Sequence, residues 1–71
     1  MEDYRGCRIR AQSEQATPSA WLPVALVFIP DYSVLEEHRR RATDAHLCSS
    51  KADADKYAIG MVTAWIDRRL G

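Results

Sequence analysis

The chain opens with an alternating stretch. Between Tyr4 and Gln12, residues Cys7, Ile9 and Ala11 share one parity, and Arg8, Arg10 and Gln12 share the other. A period of two marks a half-buried strand. Ser13 to Ser19 is polar and contains Pro18, which reads as a loop. From Trp21 to Ile29 nearly every residue is apolar. That run is short for a buried helix and rich in β-branched and aromatic side chains, so it reads as a second strand. Val24, Leu26 and Phe28 fall on one of its faces, and Ala25, Val27 and Ile29 on the other. Pro23 has no amide to donate, so pairing should be firm only after it. Pro30-Asp31 is expected to end the strand.

The segment Ser33–His46 carries conflicting signals. Ser33 followed by Glu36 fits a capping box. Glu36 with Arg40, and Glu37 with Arg41, fit helical i,i+4 pairs in the favourable order. Yet Val34, Leu35, Ala42, Ala45 and Leu47 form no apolar stripe. A charged strand over Glu37–Thr43 is the competing reading, since charge is what edge strands often carry.

Ser50 to Leu70 is a helix by every local criterion. Ser50 and Asp53 fit a capping box, with Asp53 and Asp55 near the positive end. Arg68 and Arg69 sit in the last turn, and Gly71 follows. Ala54, Ala58, Met61, Val62 and Trp65 follow helical spacing and predict the buried face, which Ile59 and Ile66 widen. Gly60 interrupts the helix, either at a close contact or as an exposed imperfection.

The frame Tyr4-x-Gly6-x-x-Ile9, the Trp-led apolar strand, Ser50-x-x-x-Ala54-x-x-x-Ala58 and Trp65-Ile66-Asp67 resembles a group of short uncharacterised proteobacterial proteins. That group opens with a Tyr-x-Gly-x-x-Ile strand and closes with a helix that begins with Thr or Ser and an acidic-Ala step and ends in Ile-Asp. The resemblance implies three antiparallel strands followed by one helix, and no activity. Cys7 stands where the group has an aromatic, and the arginine run of the middle segment also departs from it. The resemblance tips Glu37–Thr43 toward strand. The expected architecture is α+β over one domain, residues 1–71: a three-stranded antiparallel sheet with a C-terminal helix across one face (β-β-β-α). A helical middle segment is the alternative.

Size and charge narrow the function. A chain of 71 residues holds one small domain. With 46% hydrophobic and 28% charged residues, the composition is that of a globular protein and argues against extended disorder. Ten basic and ten acidic residues give zero formal net charge, which argues against binding nucleic acid or membrane by bulk charge. The longest apolar run, Trp21 to Pro30, is too short to span a bilayer. The first ten residues are charged throughout and have no apolar h-region, so no signal peptide is expected. A cytoplasmic location with Cys7 and Cys48 reduced follows, against the alternative of one disulfide.

Candidate chemistry is thin. His46 and Cys48, two apart, with His38 or Cys7, form a conceivable ligand set, but no Cys-x-x-Cys or His-x-x-x-His spacing supports one. Cys48 precedes the capped helix and could be activated there, yet catalysis also needs a base, an orienting group and a pocket. The glycines at 6, 60 and 71 form no phosphate loop. No metal, cofactor or enzymatic activity is expected. Arg8, Arg10, Arg39, Arg40 and Arg41 are the candidate contacts for nucleic acid or a partner. The bland alternative, a solvated face paired with Glu36, Glu37 and Asp44, is favoured. Val24, Leu26 and Phe28 are the candidate homodimer surface. A small domain without disulfides or metal gains most by self-association. The expected function is therefore a non-catalytic, self-associating binding module, with a nucleic-acid-binding module second and a thiol enzyme third.

Overall fold

Two eight-residue strands form the spine of the molecule, Val24–Asp31 and Val34–Arg41, paired antiparallel in unbroken register. The computed structural model describes residues 2–31 and 34–71. In chain order its strands are β1 (Glu2–Tyr4), β2 (Cys7–Ala11), β3 (Glu14–Thr17), β4 (Ala20–Leu22), β5 (Val24–Asp31) and β6 (Val34–Arg41). A single 3-10 turn, Asp44–His46, leads to the helix α1 (Lys51–Leu70). The main sheet is four-stranded and antiparallel in the order β1-β2-β5-β6, and β3 with β4 makes a separate two-stranded hairpin. The α+β class and the terminal helix are as expected, but the strand count is higher than three.

Each extra strand has a local cause. The alternating stretch Tyr4–Gln12 breaks at Arg5-Gly6, where φ is +49° and +83°. Two left-handed residues in succession make the mirror-image turn whose twist suits a hairpin. Tyr4 then pairs with Cys7, and β1 folds back on β2. The expected loop Ser13–Ser19 instead contains β3, which turns through Pro18-Ser19 into β4. The apolar run is split at Pro23, which is buried between β4 and β5. The Pro23 carbonyl accepts from the Ala42 amide at 2.9 Å. Pro30 does not end β5, since it pairs with Leu35. The middle segment is strand and not helix: β6 runs over Val34–Arg41. Ser33, the proposed cap of the helical alternative, lies outside the described residues.

The helix begins as the sequence indicates, with the Ser50 hydroxyl accepting from the Asp53 amide at 3.1 Å. Its buried face is Ala54, Ala58, Val62 and Ile66. The two alanines let the helix axis approach the sheet closely, and the branched residues fill the space beyond them. Met61 and Trp65 are only partly buried against the core, which corrects the expectation that both belong to the buried face, while Ile66 is fully enclosed. Cys7, Ile9, Ala25 and Val27 meet this helix from the sheet. Ser13 pins the corner where the hairpin leaves the sheet. Its hydroxyl accepts from the Val24 amide at 3.4 Å, and its own amide donates to Asp55 at 3.1 Å. A Cβ placed on Gly60 would meet nothing within 4 Å, so this glycine marks no close contact.

Candidate interaction surface

Alternation along β5 gives the sheet two unlike faces. Ala25 and Val27 turn to the helix and are fully buried. Leu26 and Phe28, of opposite parity, lie on the other face and stay only partly buried. Register sets their neighbours. Arg8, Phe28 and Glu37 form one rung across β2, β5 and β6, and Arg10, Leu26 and Arg39 form the next. Arg41 stands beside Val24. Val24 itself is 1% exposed, so it cannot line a surface with Leu26 and Phe28.

The arginines of this open face are mostly answered by carboxylates. Glu14, reaching from β3, holds Arg39 at 2.9 Å and Arg41 at 3.6 Å. Asp3 lies 3.6 Å from Arg8. All of these side chains are well exposed, so each pair contributes little to stability. Among the described residues, Arg10 and Glu37 have no ion-pair partner in the chain.

Arg40 is on the helix side. Its guanidinium carbon lies 5.1 Å from the Trp65 ring centroid, with that of Arg69 at 5.4 Å. The His38 ring is 5.1 Å from Trp65 and tilted by 57°. Arg69 also donates to Glu36 at 3.0 Å, and Glu36 bonds His38. Two cations against the indole, with Glu36 joining Arg69 to His38, fasten the last turns of α1 to β6. This explains why Trp65 sits at the rim: the sheet centre is taken by small and branched residues, and β6 supplies charged partners at the edge.

A second fastening lies across the molecule. The Tyr4 hydroxyl donates to both Asp67 oxygens at 2.8 and 2.9 Å, and Arg5 donates to the same carboxylate at 3.1 Å. The Tyr4 hydrogen bond, then Arg5, hold the Asp67 carboxyl below its ordinary range. The same bond to Asp67 raises the Tyr4 phenol. Partial burial pushes Asp55 upward, but Lys51 and the Ser13 hydroxyl and amide outweigh it and hold its carboxyl low.

The cysteine and histidine candidates disperse. Cys7 is in the core and Cys48 is partly buried, and neither thiol is bonded to the other. His46 stacks on Tyr57 with centroids 4.9 Å apart. Cys48 bridges Trp21 through paired backbone hydrogen bonds of 2.8 and 2.9 Å. His38 stays by Trp65. Among the described residues, no three His, Cys, Asp or Glu side chains gather where a metal could be held. No helix of the described residues is long and apolar enough to cross a membrane.

β6 lies at the edge of the sheet, where its charge suggested it would. It is the last strand of the sheet, with no neighbour beyond it among the described residues. The bond from the Ala42 amide to Pro23 fixes the backbone polarity of the strand. Alternation then points the amides and carbonyls of Glu36, His38 and Arg40 at β5, and those of Glu37 and Arg39 outward. The charge pattern was visible from the start, but its meaning depends on the segment being an edge strand. Compared with protein-family models, curated proteins and solved structures, the chain matches none.

Proposed function

We propose that this protein is a non-catalytic assembly module that joins a second copy of itself through its sheet. The observation that carries the reading is the one-sided covering of that sheet. The helix packs over Ile9, Ala25 and Val27. Leu26 and Phe28, on the other face, are left partly exposed amid arginines. A strand with apolar residues on both faces gains from a second layer or a neighbour. A domain this small draws only about 3–5 kcal/mol from its own core. Two-fold self-association is the commonest way to add to that.

A nucleic-acid-binding module is the second reading. It is favoured by the placing of Arg8, Arg10, Arg39 and Arg41 on the face that also carries Phe28. Arginine beside an aromatic on an open sheet is how several RNA-binding modules present themselves. Against it, Asp3 and Glu14 pair with Arg8, Arg39 and Arg41, and Glu37 lies on the same face beside Phe28.

Light scattering on a size-exclusion column, with absorbance recorded at 260 and 280 nm, separates the readings. Self-association predicts a mass near twice 8.1 kDa and an absorbance ratio typical of protein. A species of 8.1 kDa at every micromolar concentration contradicts it. Co-purifying nucleic acid that is lost in high salt supports the second reading instead.

A further inference from the structure

We infer that two copies of the chain join through β6, pairing it antiparallel with the β6 of the second copy in the register that sets His38 opposite His38. This rests on the self-association reading above and places the contact at the β6 edge, beside the Leu26–Phe28 face and not over it. The starting point is the charge order along β6, Glu36-Glu37-His38-Arg39-Arg40-Arg41. The strand is acidic before His38 and basic after it. A two-fold axis through His38 reverses one strand against the other, so the acidic half of each copy meets the basic half of its mate. Glu37 comes opposite Arg39 of the second copy, and Glu36 opposite Arg40, each pair occurring twice. Charge on an edge strand commonly discourages pairing. Here the order of the charges is self-complementary and favours it, because opposite charges directly across an antiparallel pair attract.

The backbone supports the same register independently of charge. Directly opposed residues in an antiparallel ladder must both point their amides and carbonyls across the gap, or both away from it. Glu37 and Arg39 both point outward from β5, so they can exchange hydrogen bonds with each other across the axis. A slip by one residue would oppose Glu37 to His38, whose polar groups are already committed to β5. A slip by two would oppose Glu37 to Glu37 or Arg39 to Arg39. Only the His38-centred register satisfies both the hydrogen bonds and the charges. Side-chain parity agrees too. Glu37 and Arg39 lie on the open face in both copies, while Glu36 and Arg40 lie on the helix face.

Face-to-face stacking, the other way to join two such sheets, meets opposition from the same residues. With the axis along β5, Arg10 stands over Arg39 of the second copy. With the axis across the strands, the arginines of β2 stand over their own copies. Edge pairing avoids both and leaves the open face outward. The product is one continuous sheet, four strands from each copy, with both helices on one side. The unpaired Glu37 carboxylate gains a cation, and Arg39 becomes shared between Glu14 of its own chain and Glu37 of the other.

The test is a charge swap read by sedimentation or light scattering. Glu37→Arg puts cation against cation at both Glu37–Arg39 contacts, and Arg39→Glu puts anion against anion. Each variant alone should dimerise about tenfold or more weakly than wild type. An equimolar mixture of the two should form a heterodimer of wild-type strength, because each altered charge then meets its opposite. Recovery on mixing also rules out misfolding as the cause of the loss. A wild-type monomer would overturn self-association itself. A wild-type dimer with single variants of unchanged strength, or a mixture that does not recover, would overturn the edge register and leave self-association standing.

Discussion

Leu26 and Val27 are chain neighbours in β5, both aliphatic, and the fold treats them oppositely. Val27 is fully buried beneath the helix among Ile9, Ala58 and Ile66. Leu26 points the other way, between Arg10 and Arg39. The difference is one of parity, imposed on a strand that is apolar on both sides. Ala54 and Ala58 let the helix lie close over one face. The other face is framed by arginines from β2 and β6, whose long apolar stems shield part of the strand while their charges stay in water. One face holds the domain together, and the other, with its free edge, is left for contact.

The same substitution on the two neighbours is the sharpest way to break this comparison. Val27→Asp places an unpaired carboxylate in the core, which costs about 3–5 kcal/mol and is enough to unfold a domain of marginal stability. Leu26→Asp places the carboxylate between two arginines and should cost about 1 kcal/mol, visible as a modest shift of the denaturation midpoint. Circular dichroism should find the first variant unfolded and the second folded. Equal damage from both would mean that the open face is not open.

Along the helix, Ile66→Ala should cost about 3–4 kcal/mol because the residue is fully enclosed. Trp65→Ala, though it removes far more atoms, should cost only about 2 kcal/mol, since the indole sits at the rim on charged partners. Urea titration compares them directly, and a costlier Trp65→Ala would move the centre of the core toward β6. Gly60→Ala should stabilise by about 1 kcal/mol, since the site is helical and unobstructed. A lower melting temperature for that variant would place a close neighbour there.

The smallest effect expected is in acid. Asp55 has its pKa lowered from 3.8, so its contribution to stability is complete above that pH and is lost as pH falls through the lower, folded-state value. Asp55→Asn should therefore flatten the acid limb of the stability profile below about pH 4 and remove a constant amount at neutral pH. An unchanged acid limb would show that the Ser13–Asp55–Lys51 corner carries no linkage.

Much of this architecture was legible in the residues. The capped helix and the apolar β5 can be read from period and composition, whereas the charged segment could not, because Glu36–Arg40 and Glu37–Arg41 fit helical spacing as well as they fit β6. The two hairpins were less legible. Arg5 in a left-handed conformation carries no propensity signal, since Asn or Asp is the usual residue before Gly in such turns. β3 carries polar residues on both faces, with Ala16 its one apolar residue, so it lacks the alternation that reveals a half-buried strand. The placing of Trp65 against Ile66 depends on which strands lie beneath each, and that is tertiary information. The candidate surface was half legible. Arg8, Arg10, Leu26 and Phe28 follow from parity. Val24 shares that parity but is enclosed where the β3–β4 hairpin leaves the sheet. Arg40 differs from Arg39 and Arg41 only by register.

Amide hydrogen exchange across β6, followed residue by residue at two protein concentrations, bears most directly on the edge interface. The amides of Glu36, His38 and Arg40 point at β5 and should be protected at both. Those of Glu37 and Arg39 point outward. The account predicts that they exchange slowly in concentrated solution, where copies are paired, and quickly on dilution. Fast exchange of Glu37 and Arg39 at every concentration, beside protected Glu36, His38 and Arg40, would leave the edge of the sheet bare and contradict it.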